Sequence, residues 1–213
     1  MGSVHPLESL QKLTSSHRKK FSIPVIGITG SNGKTIVKEW LYQLLRADKN
    51  IVRSPKSYNS QIGVPLSVWR MHEDHQLAIF EAGISLPGEM KKLEKIIHPT
   101  VGIFTNIGSA HDENFESEEQ KIKEKLQLFT GVDTLVYCKD YPSLEKEIEQ
   151  YPFASPGVKL FSCSRRTRAD LQVGRITRTG DETEIQAVFE NNFINIRIPF
   201  TDDASIENSI LCW

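Results

Sequence analysis

The stretch that decides the fold is VIGITGSNGKTIVKEWLYQLLR, from Val25 to Arg46. A β-branched run from Ile23 to Ile28 leads into it and predicts a strand. Glycines at Gly30 and Gly33 interrupt the run and mark a turn. Apolar residues then recur at helical spacing, at Ile36, Val37, Trp40, Leu41, Leu44 and Leu45. The stretch therefore predicts a strand, a loop and a helix in succession.

The loop between this strand and helix has the composition of an anion-binding site. Glycines let successive backbone N–H groups point inward, the helix adds its unpaired N–H groups, and Lys34 adds a mobile positive charge. Thr35 is placed to offer its hydroxyl to Mg²⁺. The strict phosphate-loop pattern has glycine where this chain has Ile28, so the motif is a variant, and a ligand-free glycine-rich turn is the alternative interpretation. The candidate nucleotide-binding residues are Thr29, Gly30, Ser31, Asn32, Gly33, Lys34 and Thr35.

The composition is that of a globular protein without a polyanionic partner. The 213 residues are 38% hydrophobic and 25% charged, enough to bury the core of one large domain. Because 26 Lys and Arg nearly balance 27 Asp and Glu, we expect no nucleic-acid partner and no attraction to an anionic membrane. Three scattered cysteines are too few for a disulfide framework and fit a reducing cytoplasm. Without a long apolar run or a signal-peptide core, we expect a cytoplasmic protein with no membrane insertion.

Short apolar strands alternate with helices over most of the chain. The predicted strands after the first are Leu77–Phe80, Val101–Thr105, Thr134–Tyr137 and Val158–Phe161. The alternation predicts an α/β fold with a mostly parallel, doubly wound sheet of the phosphate-loop type and flanking helices. From Leu171 to Phe200 the apolar residues alternate with period two, with turn signals at Gly180-Asp181 and Asn191-Asn192. That pattern predicts a C-terminal antiparallel meander.

We expect three segments along the chain. Residues 1–20 form a polar lead-in segment, and residues 21–201 form the central domain with the antiparallel appendage at about 171–200. Residues 202–213 begin a helix with Asp202 or Asp203 as its cap. Because that helix lacks a C-cap after about two turns, we expect it to be truncated and the chain to be a fragment of a longer protein.

A lysine on an inward-facing stripe stands out in the helix predicted from Glu118 to Phe129. Its apolar stripe is Ile122, Leu126 and Phe129, and Lys125 falls on the same face. The pattern predicts that Lys121, Lys123 and Glu124 face elsewhere. From the pattern alone we favour an amphipathic stem whose ammonium reaches water over a functional group.

Polar groups follow three of the predicted strands at the point where each ends. These are the loop from Thr29 to Thr35, the carboxylate Glu81, and the segment from Asn106 to His111. In an open parallel sheet, ligands bind at the carboxyl ends of the strands. We therefore expect the three groups to share one crevice, with Glu81 as a natural Mg²⁺ ligand opposite the phosphate loop.

Taken together, these pieces resemble the central ATPase domain of the Mur ligase family, from about Val25 to the end of the chain. The matching pieces are TGSNGKT (Thr29–Thr35), NSQIGVP (Asn59–Pro65), EAGISLPGE (Glu81–Glu89), TNIGSAH (Thr105–His111) and KEKLQLF (Lys123–Phe129). The second and third pieces look most like those of members that add D-alanyl-D-alanine to UDP-N-acetylmuramoyl-tripeptide.

The resemblance implies a role for each matching residue. Lys34 would hold the β- and γ-phosphates of ATP, Thr35 and Glu81 would bind Mg²⁺, and His111 would join a second Mg²⁺ site. Lys125 matches a lysine that is carbamylated by CO₂ in this family, and as an anionic carbamate it would support Mg²⁺. The resemblance thus reverses the preference for a merely amphipathic Lys125.

The resemblance also implies an adenine contact and a set of missing parts. Asn208 matches an asparagine near the adenine, although Ala204 and Ser205 replace the His-Asn pair that often precedes it. The family uses an N-terminal domain for the UDP-sugar peptide and a C-terminal domain that closes over the nucleotide. We expect both to be missing here, so that the fragment binds Mg-ATP weakly and does not ligate alone.

The implied reaction is amide formation, with Lys34, His111 and Lys125 as the catalytic groups. ATP phosphorylates a carboxylate, an amine attacks the acyl phosphate, and phosphate leaves, with Lys34 and two Mg²⁺ ions neutralising charge. Another member of the superfamily, such as a folylpolyglutamate synthase or a cyanophycin-type ligase, is an alternative that differs in its acceptor. A P-loop kinase or NTPase and a non-catalytic nucleotide-binding module are further alternatives.

Overall fold

The structure is a computed structural model that describes residues 6–108 and 114–213. Over these residues the chain forms seven α-helices and nine strands. The helices are α1 (Pro6–Arg18), α2 (Lys34–Leu45), α3 (Gly63–Val68), α4 (Met90–Ile97), α5 (Glu118–Leu126), α6 (Pro142–Glu149) and α7 (Asp203–Cys212). The strands are β1 (Val25–Thr29), β2 (Ile51–Arg53), β3 (Leu77–Glu81), β4 (Val101–Phe104), β5 (Thr134–Cys138), β6 (Lys159–Ser164), β7 (Leu171–Thr179), β8 (Glu182–Phe189) and β9 (Asn192–Ile198).

All nine strands belong to one sheet, in the order β2-β3-β1-β4-β5-β6-β7-β8-β9. The pairs from β2 to β7 are parallel, whereas β7–β8 and β8–β9 are antiparallel. The predicted α/β fold, with a mostly parallel sheet and a C-terminal antiparallel meander, is therefore confirmed. The meander extends the same sheet at its β6 edge.

The position of β1 determines where a ligand can bind. β1 pairs with β3 on one side, where Val25 is opposite Ala78, and with β4 on the other, where Ile26 is opposite Val101. The chain therefore crosses over β1 between β3 and β4. The carboxyl end of β1 is thus a topological switch point, the place where open parallel sheets bind ligands.

The central strands are buried on both faces of the sheet, which explains their continuous apolar sequences. Ile79 and Ile103 pack in a cluster with α2, α7 and the meander. Their neighbours Phe80 and Phe104 point to the opposite face and pack against α3, α4 and α5. Each face therefore has its own apolar core, and the strand ends between them are left for polar groups.

Helix α1 is docked on the body of the chain by polar contacts from its middle and from its C-terminal end. The Arg18 guanidinium donates to the carbonyl oxygens of Ile97 at 2.8 Å and of His98 at 3.1 Å, which satisfies the last carbonyls of α4. The Gln11 side chain donates to the Gln61 carbonyl at 3.2 Å. Residues 1–5 of the expected lead-in segment lie outside the described residues.

Besides shifts of one to three residues at the ends of strands, the elements differ from the predicted ones at three places. Ile51–Arg53 forms β2, which was not predicted because three residues are too few to show a period. The meander turn lies at Glu190 and Asn191, which have φ of 47° and 64°, one residue earlier than predicted. Helix α5 ends at Leu126, and a 3₁₀ turn at Gln127–Phe129 follows it. Within the described parts of the chain, none of the helices has both the length and the apolar character needed to cross a bilayer.

Candidate functional site

Two glycines give the loop between β1 and α2 its shape. Gly30 and Gly33 have φ of +144° and +81°, conformations that side chains rarely adopt. A Cβ on Gly30 would lie 2.0 Å from Thr105 Oγ1, and a Cβ on Gly33 would lie 2.3 Å from Asn208 Oδ1. The loop is therefore packed too tightly on its neighbours for a side chain at either position.

The loop is tied to the segment that follows β4. The amides of Ser31 and Asn32 donate to the backbone and side-chain oxygens of Asn106, both at 2.9 Å. Thr105 Oγ1 donates to the Asn32 carbonyl at 2.6 Å, and the Gly108 amide donates to Ser31 Oγ at 3.0 Å. The structure thus brings the ends of β1 and β4 together, as the sequence predicted.

Helix α2 begins at Lys34 with its N-terminus open toward the loop. Gly33, the residue before it, is in the left-handed region and provides no side-chain cap. The first N–H groups of a helix have no acceptor within the helix, and their partial positive charge favours an anion. The end of α2 therefore offers the donors that a phosphate group needs.

Lys34 and Lys125 meet at the backbone of this loop. Lys34 Nζ donates to the carbonyl oxygens of Gly30 at 2.9 Å and Ser31 at 3.0 Å, and Lys125 Nζ donates to Gly30 O at 3.1 Å. Burial together with the charges of Lys34 and Lys121 lowers the pKa of Lys125 to about 7. Lys125 is 3% exposed, so nearly all of its side chain is withdrawn from bulk water, which does not fit an ammonium that reaches out to the solvent. Burial also lowers the pKa of Lys34, and the Glu81 carboxylate opposes that shift.

Thr35 and Glu81 form a pair of oxygen donors beside the loop. Thr35 Oγ1 donates to Glu81 Oε2 at 2.8 Å, and Glu81 is fully buried at the end of β3. Hydroxyl and carboxylate oxygens are hard donors of the kind that Mg²⁺ prefers. The chemistry of this donor set fits a magnesium ion held next to the phosphates of a nucleotide.

Lys38 is a member of the site that the sequence analysis missed. Its side chain is fully buried, and Nζ lies 3.4 Å from Glu81 Oε1 and 3.2 Å from Glu39 Oε1. The same signal that identified Lys125, a lysine on the inward face of a helix, could have identified Lys38. Lys38 follows Val37 and precedes Leu41, both of which are buried.

Helix α5 buries more polar side chains than predicted. Lys121 and Glu124 were expected to face elsewhere, but they are 1% and 6% exposed. Lys121 Nζ donates to the Gly108 carbonyl beside the loop. Glu124 Oε1 accepts from the Met90 amide at 3.1 Å and so caps the start of α4. The prediction failed because it counted only apolar side chains, whereas α5 also packs through hydrogen bonds to α4 and to the segment after β4.

Five of the predicted site residues lie around one loop. Lys34, Thr35, Glu81 and Lys125 meet as described, and Asn208 is buried on α7 against Gly33. The predicted metal ligand His111 lies outside the described residues.

A cavity of about 470 Å³ opens beside the two lysines. Lys34 and Lys125 line one part together with Gly30 and Ser31, and Leu7, residues 59–62, residues 83–85 and Glu89 line other parts. The Gln61 side chain donates to the Glu89 carbonyl at 3.2 Å, which joins two of these segments. Four separate sequence motifs therefore contribute to the wall of a single cavity.

Comparison with known proteins places the chain in a family. The Mur ligase middle domain model matches residues 28–213. A UDP-N-acetylmuramoyl-tripeptide--D-alanyl-D-alanine ligase of Bacillus subtilis is 33% identical over 65% of the chain and 31% of its own length. The ligase of the same name from Rickettsia prowazekii is 30% identical over 91% of the chain and 43% of its own length.

Solved structures show the same fold. The MurF ligase of Thermotoga maritima, crystallised in complex with ADP, superposes with a TM-score of 0.86 at 24% identity over 100% of this chain and 49% of that one. The chain spans about a third to a half of the length of these relatives. Because the family model covers nearly the whole sequence, the chain belongs to the Mur ligase middle domain family.

Proposed function

We propose that this chain is the ATP-binding part of a ligase that joins D-alanyl-D-alanine to UDP-N-acetylmuramoyl-tripeptide. The relatives named above carry that activity in their names. The observation that carries the proposal is the meeting of Lys34, Lys125 and the Thr35–Glu81 pair around the Gly30 loop. The loop thus combines an anion site, a cation site and a buried amine. Such a combination suits a reaction in which a carboxylate must approach a negatively charged triphosphate.

The phosphates of ATP would lie at the N-terminus of α2. Lys34 now donates to the loop carbonyls, so its ammonium is already held where the β- and γ-phosphates would come. Thr35 and Glu81 would hold Mg²⁺, which when bound neutralises negative charge on the phosphates. Asn208, which lies against Gly33, would contact the adenine. His111 would contribute to a second magnesium site.

Lys125 would act as a carbamate. A pKa of about 7 leaves much of the amine neutral at physiological pH. The lone pair of Nζ would form an N–C bond to CO₂ and one amine proton would leave to solvent, giving an anion. This change would replace a cation that is repelled by Lys34 and Lys121 with a group that both attract.

The reaction needs no nucleophile from the protein. A carboxylate oxygen of the tripeptide would attack the γ-phosphorus, and the bond from that phosphorus to the β,γ-bridging oxygen would break, releasing ADP. The amine of the dipeptide would then attack the acyl carbon, lose a proton and expel phosphate. We propose that the acid enters through the 470 Å³ cavity, because Lys34 and Lys125 line it beside the loop. Positioning and charge neutralisation would supply the catalysis.

The relatives extend beyond the part that this chain matches, and that additional part would bind the substrates for which the site described above has no residues. We propose that separate domains hold the UDP-sugar end of the acid and close over the nucleotide with the incoming amine. The chain alone would then bind Mg-ATP weakly and form no amide.

The test is phosphate release from ATP by a full-length ligase that contains this chain. Release should require the tripeptide and the dipeptide together, and the Lys125→Ala variant should lose it. Release that needs the acid but a different amine would indicate another ligase of the superfamily. Release without either substrate would indicate an NTPase, and no release with intact nucleotide binding would indicate a binding module.

A further inference from the structure

Lys38 lies one turn along α2 from the phosphate loop, and the reaction proposed above gives it no role. Its ammonium is fully buried and contacts three acceptors: the Lys56 carbonyl, Glu39 Oε1 at 3.2 Å and Glu81 Oε1 at 3.4 Å. A lysine ammonium has three donors, so all of them are used. Because all three donors have partners, the buried ammonium is held in one position.

The two oxygens of Glu81 are divided between two partners. Oε2 accepts from Thr35 Oγ1 at 2.8 Å, and Oε1 faces Lys38 Nζ at 3.4 Å. Both Lys38 and Glu81 are fully buried, so water screens their attraction little. The carboxylate is thereby fixed in orientation and neutralised at the same time.

Lys38 is also anchored from the side away from Glu81. Glu39 accepts from Arg53 Nε at 3.2 and 3.1 Å, and the Arg53 guanidinium lies 3.6 Å from the centre of the Tyr42 ring. The charges alternate from Arg53 through Glu39 and Lys38 to Glu81. Because Glu39 and the Lys56 carbonyl hold Lys38 independently, the ammonium does not need to move when Glu81 takes another partner.

We propose that Lys38 is a positioning residue that keeps Glu81 paired until a nucleotide arrives, so that the divalent cation enters together with the nucleotide phosphates. The inference rests on the proposed function, in which Thr35 and Glu81 hold Mg²⁺. A free cation that approaches Glu81 meets the ammonium within 3.4 Å of the same carboxylate, which opposes its binding. A cation that arrives with phosphates brings its own negative charge and is not repelled in this way.

The experiment measures binding of Mn²⁺ to a full-length ligase that contains this chain by electron paramagnetic resonance, with and without a non-hydrolysable ATP analogue. Wild type should bind Mn²⁺ much more tightly with the analogue than without it. Lys38→Gln keeps a hydrogen-bond donor but removes the charge, and it should tighten nucleotide-free Mn²⁺ binding about tenfold or more. The control Lys49→Gln removes one exposed lysine charge and should change nothing, and Glu81→Gln added to Lys38→Gln should abolish the gain.

The outcomes separate this inference from the proposed function. If wild type binds Mn²⁺ with the analogue but Lys38→Gln shows no gain without it, the role of Lys38 is wrong and the nucleotide site stands. If wild type binds no Mn²⁺ with the analogue, the proposed function and this inference both fail. If Lys38→Gln does not fold, the wild-type protein still tests the inference. Wild-type Mn²⁺ binding that is as tight without the analogue as with it would overturn the inference.

Discussion

Lys34 and Lys125 donate hydrogen bonds to the same acceptor, the carbonyl oxygen of Gly30, at 2.9 and 3.1 Å. Burial lowers the pKa of both amines, and the positive charge of Lys34 adds to the lowering at Lys125. A site arranged in this way favours an anion between the lysines or the conversion of one lysine into an uncharged or negative form.

Carbamylation of Lys125 should increase as the pH rises through the pKa of its amine, about 7. Folding lowers this pKa, so the protonated amine prevails below about pH 7 and the reactive neutral amine prevails above it. We expect a carbamate signal by carbon-13 NMR in buffer with labelled CO₂ that grows as the pH rises through 7. Lys125→Ala should remove the signal, and a signal that persists in that variant would assign the carbamate elsewhere.

Replacing Lys34 with methionine should weaken nucleotide binding without unfolding the chain. The variant removes the ammonium beside the phosphate site, so we expect affinity for ADP to fall by at least about tenfold. Stability should stay the same or rise, because the buried ammonium is desolvated in the folded state. Calorimetric titration and thermal unfolding measure the two effects, with the exposed Lys49→Met as the control. Unchanged ADP affinity in Lys34→Met would remove this lysine from the site.

Gly30→Ala should destabilise the chain by about 2 kcal/mol or more, because the new Cβ would lie 2.0 Å from Thr105 Oγ1 at a positive φ. The free energy of unfolding in urea measures the effect. Gly131→Ala is the matched control, since a Cβ there meets nothing within 4 Å. Equal stability of the two variants would show that the loop does not need glycine at position 30.

Glu124→Ala should cost about 1–3 kcal/mol of folding stability, because it leaves the buried Met90 amide at the start of α4 without its acceptor. The exposed Glu118→Ala on the same helix should change stability by less than about 0.5 kcal/mol. Chemical denaturation of both variants tests the difference. A Glu124→Ala variant as stable as the Glu118→Ala variant would mean that the α4 cap contributes nothing.

Much of the fold follows from apolar periodicity, because the central strands are buried on both faces and the helices on one. β1, β3 and β4 were predicted with small errors at their ends, and the strand–loop–helix motif gave the position of the anion site. β2 could not be predicted, because this three-residue strand forms only through its pairing with β3.

The polar part of the site was harder to predict than the fold. Thr35 and Glu81 could be paired by reasoning from strand ends, but the burial of Lys38, Lys121 and Glu124 depends on partners from distant parts of the chain. Helical spacing shows which side of a helix a residue occupies, whereas the acceptor that makes burial of a charge tolerable is supplied by tertiary structure.

The central claim is that the site passes the γ-phosphoryl group of ATP to a carboxylate. Its most direct test is to supply a full-length ligase containing this chain with ATP, D-alanyl-D-alanine and a tripeptide substrate whose reacting carboxylate carries oxygen-18. Attack by that carboxylate leaves one of its oxygens on the phosphate, so mass spectrometry should find one heavy oxygen in each phosphate released with the amide product. Phosphate released without the label would mean that water takes the phosphoryl group, and the ligase account would be wrong.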